Sequence, residues 1–410
     1  MNNRIIKILS LARVIHNIPI LSEKGRCVKY PYGKDTGFDI AGIEKRQSFT
    51  ESTQNSDKIR NILFLFLALL LTGCGAKTPE KLVRSELEQI KKLDEKTIRN
   101  FVSYQDIVQN KMRDTDVGEE TTEAVRLFFQ NFDYSVLSTE SSDDKAEVIV
   151  EIRNLDSRSL AHDLCLSLTQ IAADPRASQA DTMNSYFTVL RDILKSNTYE
   201  TARTEAHFNL IRQSGNWVIQ ATDSLKDEIV GGLISALQDP YLLTPEEVAA
   251  ATLDVFTDFS PEDWISYLDM HDVFAIGSEQ SDQVDQSLAA RIASCFQYKV
   301  TQLRVDHEDA TASADITSLD MTSVLKAYRK KLRAYAETTE SLRASDSEIA
   351  DKSAGFLKEA LDENEDTILR SVPLTFHNNG SAWEMSIGEE FSEVLLGGSE
   401  DALNAFHDNE

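Results

Sequence analysis

The sequence predicts an α+β protein built from two tandem repeats. Each repeat is expected to pack N-terminal helices on a curved antiparallel sheet of two hairpins, with a helical insertion between the hairpins. Three observations support this prediction: residues recur at a fixed separation, apolar and polar residues alternate over the strand candidates, and helix-start signals open both repeats. Helices followed by antiparallel hairpins are typical of the α+β class, in which one face of the sheet is covered.

Identical residues recur in a fixed alignment of the two repeats. Thr78-Pro79-Glu80 recurs as Thr244-Pro245-Glu246, Trp217 as Trp383, and Gly231-Gly232 as Gly397-Gly398, all at one separation. Between these anchors a slightly shorter separation aligns Phe132, Tyr134, Val136, Ala146, Ile152, Leu155 and Asp156 with Phe296, Tyr298, Val300, Ala310, Ile316, Leu319 and Asp320. Units of this size are within the range of independent domains. We therefore expect domains over 78–243 and 244–398, followed by a C-terminal tail over 399–410.

Helix-start signals open each repeat. Thr244 is a predicted N-cap, with Pro245 at the first helical position and Glu247 completing a capping box. Thr78-Pro79 opens the first repeat in the same way, although Lys81 replaces the acid. A short second helix is expected to begin at Ser260-Pro261 and to carry Trp264 and Leu268. A third helix is expected from Glu119 to Phe129 in the first repeat and from Asp282 to Ala293 in the second. The helical insertion of the first repeat is expected over Ser157 to Lys195.

The strand candidates alternate in polarity. The expected inward-facing residues are Ala146, Val148, Val150 and Ile152 in the first repeat, and Ala310, Ala312, Ala314 and Ile316 in the second. Such period-two alternation predicts antiparallel strands with one covered and one solvent-facing side. A second hairpin in each repeat turns at Ser214-Gly215-Asn216 and at Asn378-Asn379-Gly380.

The last strand of each repeat carries a short glycine–tryptophan motif. Ser214-Gly215-Asn216-Trp217-Val218-Ile219 and Gly380-Ser381-Ala382-Trp383-Glu384-Met385 are the residues concerned. With the helices-then-hairpins order, they resemble the closing Gly-x-Trp-x-Ile strand of the nuclear transport factor two-like (cystatin-like) fold, which occurs in bacterial lipoproteins. The second copy departs by one extra residue and by Met385. The resemblance implies a cone-shaped fold for both repeats rather than an activity.

An apolar run of ten residues, Ile62 to Leu71, follows a cationic flank. A helix of that length is about 15 Å long, roughly half the hydrocarbon thickness of a bilayer, so it fits a signal peptide better than a membrane span. The run ends in Leu71-Thr72-Gly73-Cys74, which resembles the lipobox of bacterial lipoproteins. That resemblance implies a signal peptide over 58–74, cleavage between Gly73 and Cys74, and a diacylglyceryl group on Cys74. The alternative is a buried hydrophobic helix with an incidental cysteine.

The segment before this run differs in charge from the rest of the chain. Residues 1–57 show no sustained periodicity, and we interpret them as a leader outside the fold, either an over-extended gene start or a tail removed with the signal peptide. Through Arg60 the chain has 11 of its 42 basic and 6 of its 68 acidic residues, so the remaining body has a formal charge of −31. A body this acidic repels nucleic acid and anionic head groups. We therefore expect its membrane contact to come from lipid on Cys74.

One basic cluster stands out in the acidic body. Tyr328 to Tyr335 reads Tyr-Arg-Lys-Lys-Leu-Arg-Ala-Tyr. We interpret it as a solvated helix face balanced by nearby acids, with a head-group or partner patch as the alternative.

The polar residues give no catalytic constellation. His207 and His377 do not align between the repeats, and no acid or nucleophile is spaced to serve them, so we expect exposed histidines. Asp156 and Asp320 follow a strand and precede a helix, which favours an N-cap or Asx turn over a ligand role. After the lipobox, the body contains two cysteines, Cys165 and Cys295. We expect both thiols to be buried and not joined in a disulfide bond.

Metal and phosphate motifs are absent from the sequence. Asp306-His307-Glu308-Asp309 lacks the glycine and ligand spacing of an EF-hand loop and is expected to be a charged hairpin turn. Gly231-Gly232 and Gly397-Gly398 are interpreted as helix ends or close contacts. Trp217, Trp383 and Trp264 are interpreted as packing anchors, with ligand stacking as the alternative. We expect no metal or cofactor.

The predicted function is that of a non-enzymatic lipoprotein on the extracytoplasmic face of a bacterial cell membrane, where it binds an unidentified protein or small-molecule ligand and no nucleic acid. One alternative is a ligand-binding or proton-transfer enzyme that uses the cone of one repeat. Another is an envelope assembly or stress factor that acts through the helical insertions. An open, polar-lined cone would favour the enzyme, whereas a cone filled by Trp217 or Trp383 would favour surface binding.

Overall fold

The computed structural model describes residues 78–92, 119–177, 183–270, 274, 280–388 and 390–408, together with two dipeptides near the N-terminus. These dipeptides pair antiparallel as strands β1 (Ile20–Leu21) and β2 (Cys27–Val28). Apart from them, the leader expected over 1–57 and the signal peptide expected over 58–74 lie outside the described residues.

The described part of the chain forms two units of mixed helix and strand. The first unit contains α1 Pro79–Lys91, α2 Glu119–Phe128, β3 Asp133–Ser141, β4 Lys145–Leu155, α3 Ser157–Ala173, α4 Met183–Ser196, β5 Thr201–Gln213, β6 Asn216–Ile219, α5 Asp223–Ile229 and α6 Leu233–Leu237. The second unit contains α7 Pro245–Thr257, α8 Pro261–Tyr267, α9 Ser281–Cys295, β7 Gln297–Asp306, β8 Asp309–Leu319, α10 Met321–Ala336, α11 Asp346–Asp362, β9 Thr367–Asn378, β10 Trp383–Ile387, α12 Phe391–Leu395 and α13 Ser399–Asp408.

Each unit has a four-stranded antiparallel sheet, in the orders β3-β4-β5-β6 and β7-β8-β9-β10. The two sheets also share one register. Val148 pairs with Phe208 in the first, and Ala312 pairs with Leu374 in the second. The repeat alignment of the sequence matches these same residues, Val148 with Ala312 and Phe208 with Leu374. The predicted α+β class with two antiparallel sheets is therefore confirmed.

The alternation in the strands decides which face of each sheet is covered. On β4 the residues Ala146, Val148, Val150 and Ile152 are buried, and on β8 the residues Ala310, Ala312, Ala314 and Ile316 are buried. The intervening residues are intermediate or exposed. Each covered face belongs to its own hydrophobic cluster with the helices of that unit. This is the one-sided burial that antiparallel sheets permit.

The predicted helix starts differ in how completely they are capped. The Thr244 hydroxyl accepts from the Glu247 backbone N–H at 3.3 Å, and Glu247 accepts from the Thr244 N–H at 2.8 Å, so the capping box is confirmed. Ser260 and Asp263 form a second box at the start of α8. Thr78 occupies the N-cap of α1 but makes no side-chain cap bond. Lys81, at the position of Glu247, has no acceptor with which to complete a box.

Helix α1 buries one carboxyl group without a hydrogen-bond or ion-pair partner among the described residues. Glu86 is only 4% exposed, and burial raises the pKa of its carboxyl group. Because the pKa in the folded state lies above that of the unfolded chain, stability is greatest below the unfolded pKa and is lost as the pH rises through the higher folded pKa.

Glu86→Gln is therefore expected to raise the free energy of unfolding by about 1 kcal/mol at neutral pH, since it removes the cost of burying a charge. The gain should vanish below about pH 4, where the unfolded carboxyl group is also protonated. Urea unfolding at both pH values measures this. The control is Glu88→Gln on the same helix, because Lys92 and Tyr134 lower the pKa of Glu88 through hydrogen bonds and its loss should not stabilise the fold. A Glu86→Gln gain that is the same at both pH values would contradict the explanation.

Candidate functional site

The three tryptophans of the predicted domains are buried in the structure. Trp217 and Trp383 are 5% and 6% exposed, and each belongs to the core of its own unit. Trp264 is fully buried and packs against Phe256 with 5.7 Å between the ring centroids. The three tryptophans are therefore packing anchors, as expected.

His207 and His377 lie on the solvent-facing sides of different sheets. His207 on β5 is half-exposed, and its Nδ1 lies 3.4 Å from a Glu147 carboxylate oxygen. His377 is exposed, and its Nδ1 lies 2.8 Å from Asp309. The hydrogen bond to Asp309 raises the pKa of His377. The expected solvent location is confirmed, and the structure does not bring the two histidines together.

The paired aspartates cap helices, as predicted. Asp156 accepts from the backbone N–H groups of Arg158 and Ser159 at 3.0 and 3.3 Å, at the start of α3. Asp320 makes the same two bonds at the start of α10, at 3.0 and 3.3 Å. The hydrogen bond from the Ser159 hydroxyl lowers the pKa of Asp156. Both carboxylates are thus committed to structure.

The cysteines and the acidic turn offer no reactive centre in the described chain. Cys165 and Cys295 are free, and burial raises the pKa of the Cys165 thiol to about 12. Asp306 to Asp309 forms the predicted turn between β7 and β8, and the described residues contain no cluster of three potential metal ligands. The predicted lipidation and cleavage residues, Cys74 and Gly73, lie outside the described residues.

The glycine pairs end helices and permit close contacts. Gly231, Gly232, Gly397 and Gly398 all have positive φ angles, from +67° to +79°, which favour glycine. Gly397 approaches the carbonyl oxygen of Leu319, where a side chain would overlap it. The predicted helix-end role is therefore confirmed. No helix in the described part of the chain combines the length and apolar composition needed to cross a bilayer.

Helix α3 of the first unit packs against helix α7 of the second. His162 Nε2 lies 2.8 Å from a carboxylate oxygen of Glu247 across this contact. Arg176 reaches Asp263 at 3.2 Å, and Asn378 donates to the carbonyl oxygen of Pro240 at 2.7 Å. A crevice beside the contact has a volume of about 60 Å³. That is far below the roughly 300 Å³ of small-molecule sites, so the crevice is a packing defect rather than a pocket.

The contact explains why α7 is apolar on more than one face. Ala251 and Val255 of α7 are buried. The equivalent residues on α1, when Thr78 is aligned with Thr244, are Ser85 and Gln89, and both are exposed. A helix covered on one side needs only one apolar stripe, whereas a helix covered on two sides needs a wider one. The wider apolar surface of α7, compared with α1, is therefore consistent with the packing of α3 against α7.

The outward face of α10 differs from the corresponding face of α3. In the repeat alignment that matches Asp156 with Asp320, Lys326 and Arg333 occupy the positions of His162 and Thr169, which face the α7 side. Lys326, Lys330 and Arg333 are exposed, and none makes an ion pair within the described part of the chain. They follow the i, i+4, i+7 spacing of one helical face. We call these three residues the α10 basic stripe.

Other residues of the basic cluster are already engaged. Lys331 bridges Glu359 on α11 at 2.8 Å and Glu363, which directly follows α11, at 3.1 Å. The guanidinium of Arg329 lies 4.2 Å from the ring centroid of Phe406 on α13. The expected solvated face with nearby acids is seen at Lys331, whereas Lys326, Lys330 and Arg333 are exposed without an ion pair among the described residues. Sequence reasoning missed the distinction because helical spacing alone does not show which cations have acids within reach.

A wide cleft lies at the far end of the same helical insertion. Its volume is about 770 Å³, and it is lined by residues of α10, α11 and the segment that joins them. Tyr335 and Phe356 form its aromatic floor, with ring centroids 5.7 Å apart, and Lys352 lies 3.4 Å from Glu340 at its rim. Glu340, Glu348, Asp351 and Glu359 make the lining of the cleft largely acidic.

Comparison with known proteins leaves the function open. No family model and no curated protein matches the chain significantly. A search of solved structures finds similarity to a Bacillus subtilis protein, ycdA, assigned as a lipoprotein. The two are 12% identical with a TM-score of 0.23, and the match covers 64% of this chain and 93% of the other. A similarity this low carries no functional inference.

Proposed function

We propose that the protein is a lipid-anchored, extracytoplasmic binding module of a bacterial cell membrane. The anchor would be a diacylglyceryl group on Cys74. Cleavage of the signal peptide over 58–74 after Gly73 would make Cys74 the first residue of the mature chain. Two acyl chains hold a protein stably at a bilayer where one chain would be marginal. The body, with a formal charge of −31, would otherwise be repelled by anionic head groups.

We further propose that the body is a duplication, with nuclear transport factor two-like domains over 78–243 and 244–398. The shared strand order and shared register support this proposal. In this interpretation α13 extends the second domain into the tail expected over 399–410, since Phe406 is buried and stacks on Tyr328 with 6.2 Å between the ring centroids.

Binding, rather than catalysis, is the proposed activity, and the partner is a protein or small-molecule ligand. One observation carries it: α3 packs against α7, whereas α10 carries three exposed cations, two of them at positions that correspond to the α7-facing residues of α3, and none of them makes an ion pair among the described residues. The burial of Trp217 and Trp383 in the cores of their own units supports the same conclusion. The second unit would thus present its helical insertion, α10 and α11, to the partner.

Site-specific photocrosslinking in native membranes tests the proposal. A photoreactive amino acid replaces Thr322, which is exposed on α10, or Thr375, which is exposed on the solvent face of β9. We expect discrete crosslinked products from position 322 and none from position 375. Equal labelling from the two positions, or labelling from position 375 alone, would contradict binding through the insertion.

A further inference from the structure

We propose that the α10 basic stripe is a docking surface for an acidic amphipathic helix of a partner protein. This inference rests on the proposed function and names the chemistry of the partner. The stripe is formed by Lys326, Lys330 and Arg333, which occupy one face of α10 over about 10 Å. Glutamates or aspartates at the same spacing on a second helix could approach all three cations at once.

The chain itself shows that this kind of face accepts a helix. Helix α3 packs against α7 through a face that includes His162 and Thr169, which correspond to Lys326 and Arg333 of the α10 basic stripe. His162 Nε2 on α3 lies 2.8 Å from a carboxylate oxygen of Glu247 on α7. Lys326 occupies the position of His162 in the second repeat. A docked helix with an acidic residue in its first turn would therefore place a carboxylate within reach of Lys326.

Charge disfavours a second copy of this chain as the occupant. The helix of a second copy that corresponds to α7 is α1, and Lys81 of α1 stands where α7 has Glu247. Docked head to tail, Lys81 of one copy would meet Lys326 of the other. Like charges at such a contact disfavour the pairing. The sequence thus disfavours the docking of another copy's first unit on the stripe and favours a partner with acidic residues.

A flat anionic bilayer fits the stripe less well than a narrow helix does. Glu359 and Glu363 lie on or next to the neighbouring helix α11, and Glu337 directly follows α10. Glu359 and Glu363 pair with Lys331, the chain neighbour of Lys330, and Glu337 follows Arg333 by four residues, on a body whose formal charge is −31. A planar surface of head groups would meet the acids together with the cations, so repulsion would offset attraction. A helix about 10 Å wide can contact the three cations alone.

The test uses the full lipidated chain in detergent micelles and two synthetic amphipathic helical peptides. One peptide carries glutamates at i, i+4 and i+7, and the other carries glutamines at those positions. Fluorescence anisotropy measures their binding. We expect the glutamate peptide to bind with an affinity that falls as salt is added, and the glutamine peptide to bind about tenfold more weakly.

Matched charge reversals locate the site. The variant Lys326→Glu/Lys330→Glu/Arg333→Glu should weaken binding of the glutamate peptide by about tenfold or more. The control Lys145→Glu/Lys299→Glu/Arg304→Glu changes net charge by the same amount at exposed strand residues and should leave binding unchanged. All six side chains are exposed, so both variants should keep the circular dichroism spectrum and melting temperature of the wild type.

Three results would overturn the inference: equal affinity for the two peptides, equal loss of binding in the two triple variants, or stripe-dependent binding to vesicles containing phosphatidylglycerol in place of the glutamate peptide. Crosslinking at position 322 separates this inference from the proposed function. Crosslinks that survive the stripe reversal would keep the insertion as the binding surface while rejecting the acidic helix as its ligand.

Discussion

Replacement of Cys74 by alanine is expected to move the protein from the membrane fraction to the soluble extracytoplasmic fraction, with a decrease in membrane-bound material of about tenfold or more. The thiol is the proposed attachment atom of the lipid, and the acidic body supplies no attraction to anionic head groups in its place. Fractionation followed by immunoblotting measures the distribution.

The matched control for this prediction is Cys27→Ala, which removes the cysteine of the leader. This variant should fractionate as the wild type does, because the leader lies on the other side of the proposed cleavage site. If the Cys74→Ala protein stays in the membrane at the wild-type size, the apolar run Ile62 to Leu71 would be a membrane anchor in its own right, and lipidation would not be the means of attachment.

Gly397→Ala is expected to lower the free energy of unfolding by about 3 kcal/mol. Two costs combine at this position. The φ angle of Gly397 is +72°, which strains any residue with a Cβ atom, and the new methyl group would overlap the carbonyl oxygen of Leu319 at the end of β8. Relieving the overlap would displace the backbone bond from the N–H of Met321 to the carbonyl oxygen of Gly397, now 3.2 Å long.

Gly380→Ala separates the two costs. Gly380 has a φ angle of +85°, but a Cβ built on it meets nothing within 4 Å, so only the conformational cost of about 1 kcal/mol applies. Urea denaturation followed by circular dichroism compares the two variants. Equal losses of stability would show that the approach of Gly397 to Leu319 does not constrain the second unit.

Much of the fold follows from local sequence patterns. The alternation at Val148 and Val150 sets the buried face of β4 in advance, and Thr244 with Glu247 sets the start of α7. Both features depend on residues close together in the chain, and local patterns record such features directly. The N-cap roles of Asp156 and Asp320 were predictable for the same reason.

Contacts between distant segments were less predictable. Helix α7 has Ala251 and Val255 where α1 has Ser85 and Gln89. This wider apolar surface of α7 indicates a second covered face. It does not say that α3 covers that face. Likewise the sequence of α10 does not show that Lys331 has acids nearby while Lys326 and Lys330 make no ion pair among the described residues. Such differences arise from tertiary packing and are invisible to periodicity.

Intact-mass analysis of the protein purified from the membrane tests the central claim most directly. The lipoprotein account predicts a chain that begins at Cys74 and carries the added mass of a diacylglyceryl group, which labelling with a fatty-acid probe would place on that residue. A membrane-bound chain that retains residues before Cys74, or one whose Cys74 thiol is unmodified, would contradict it.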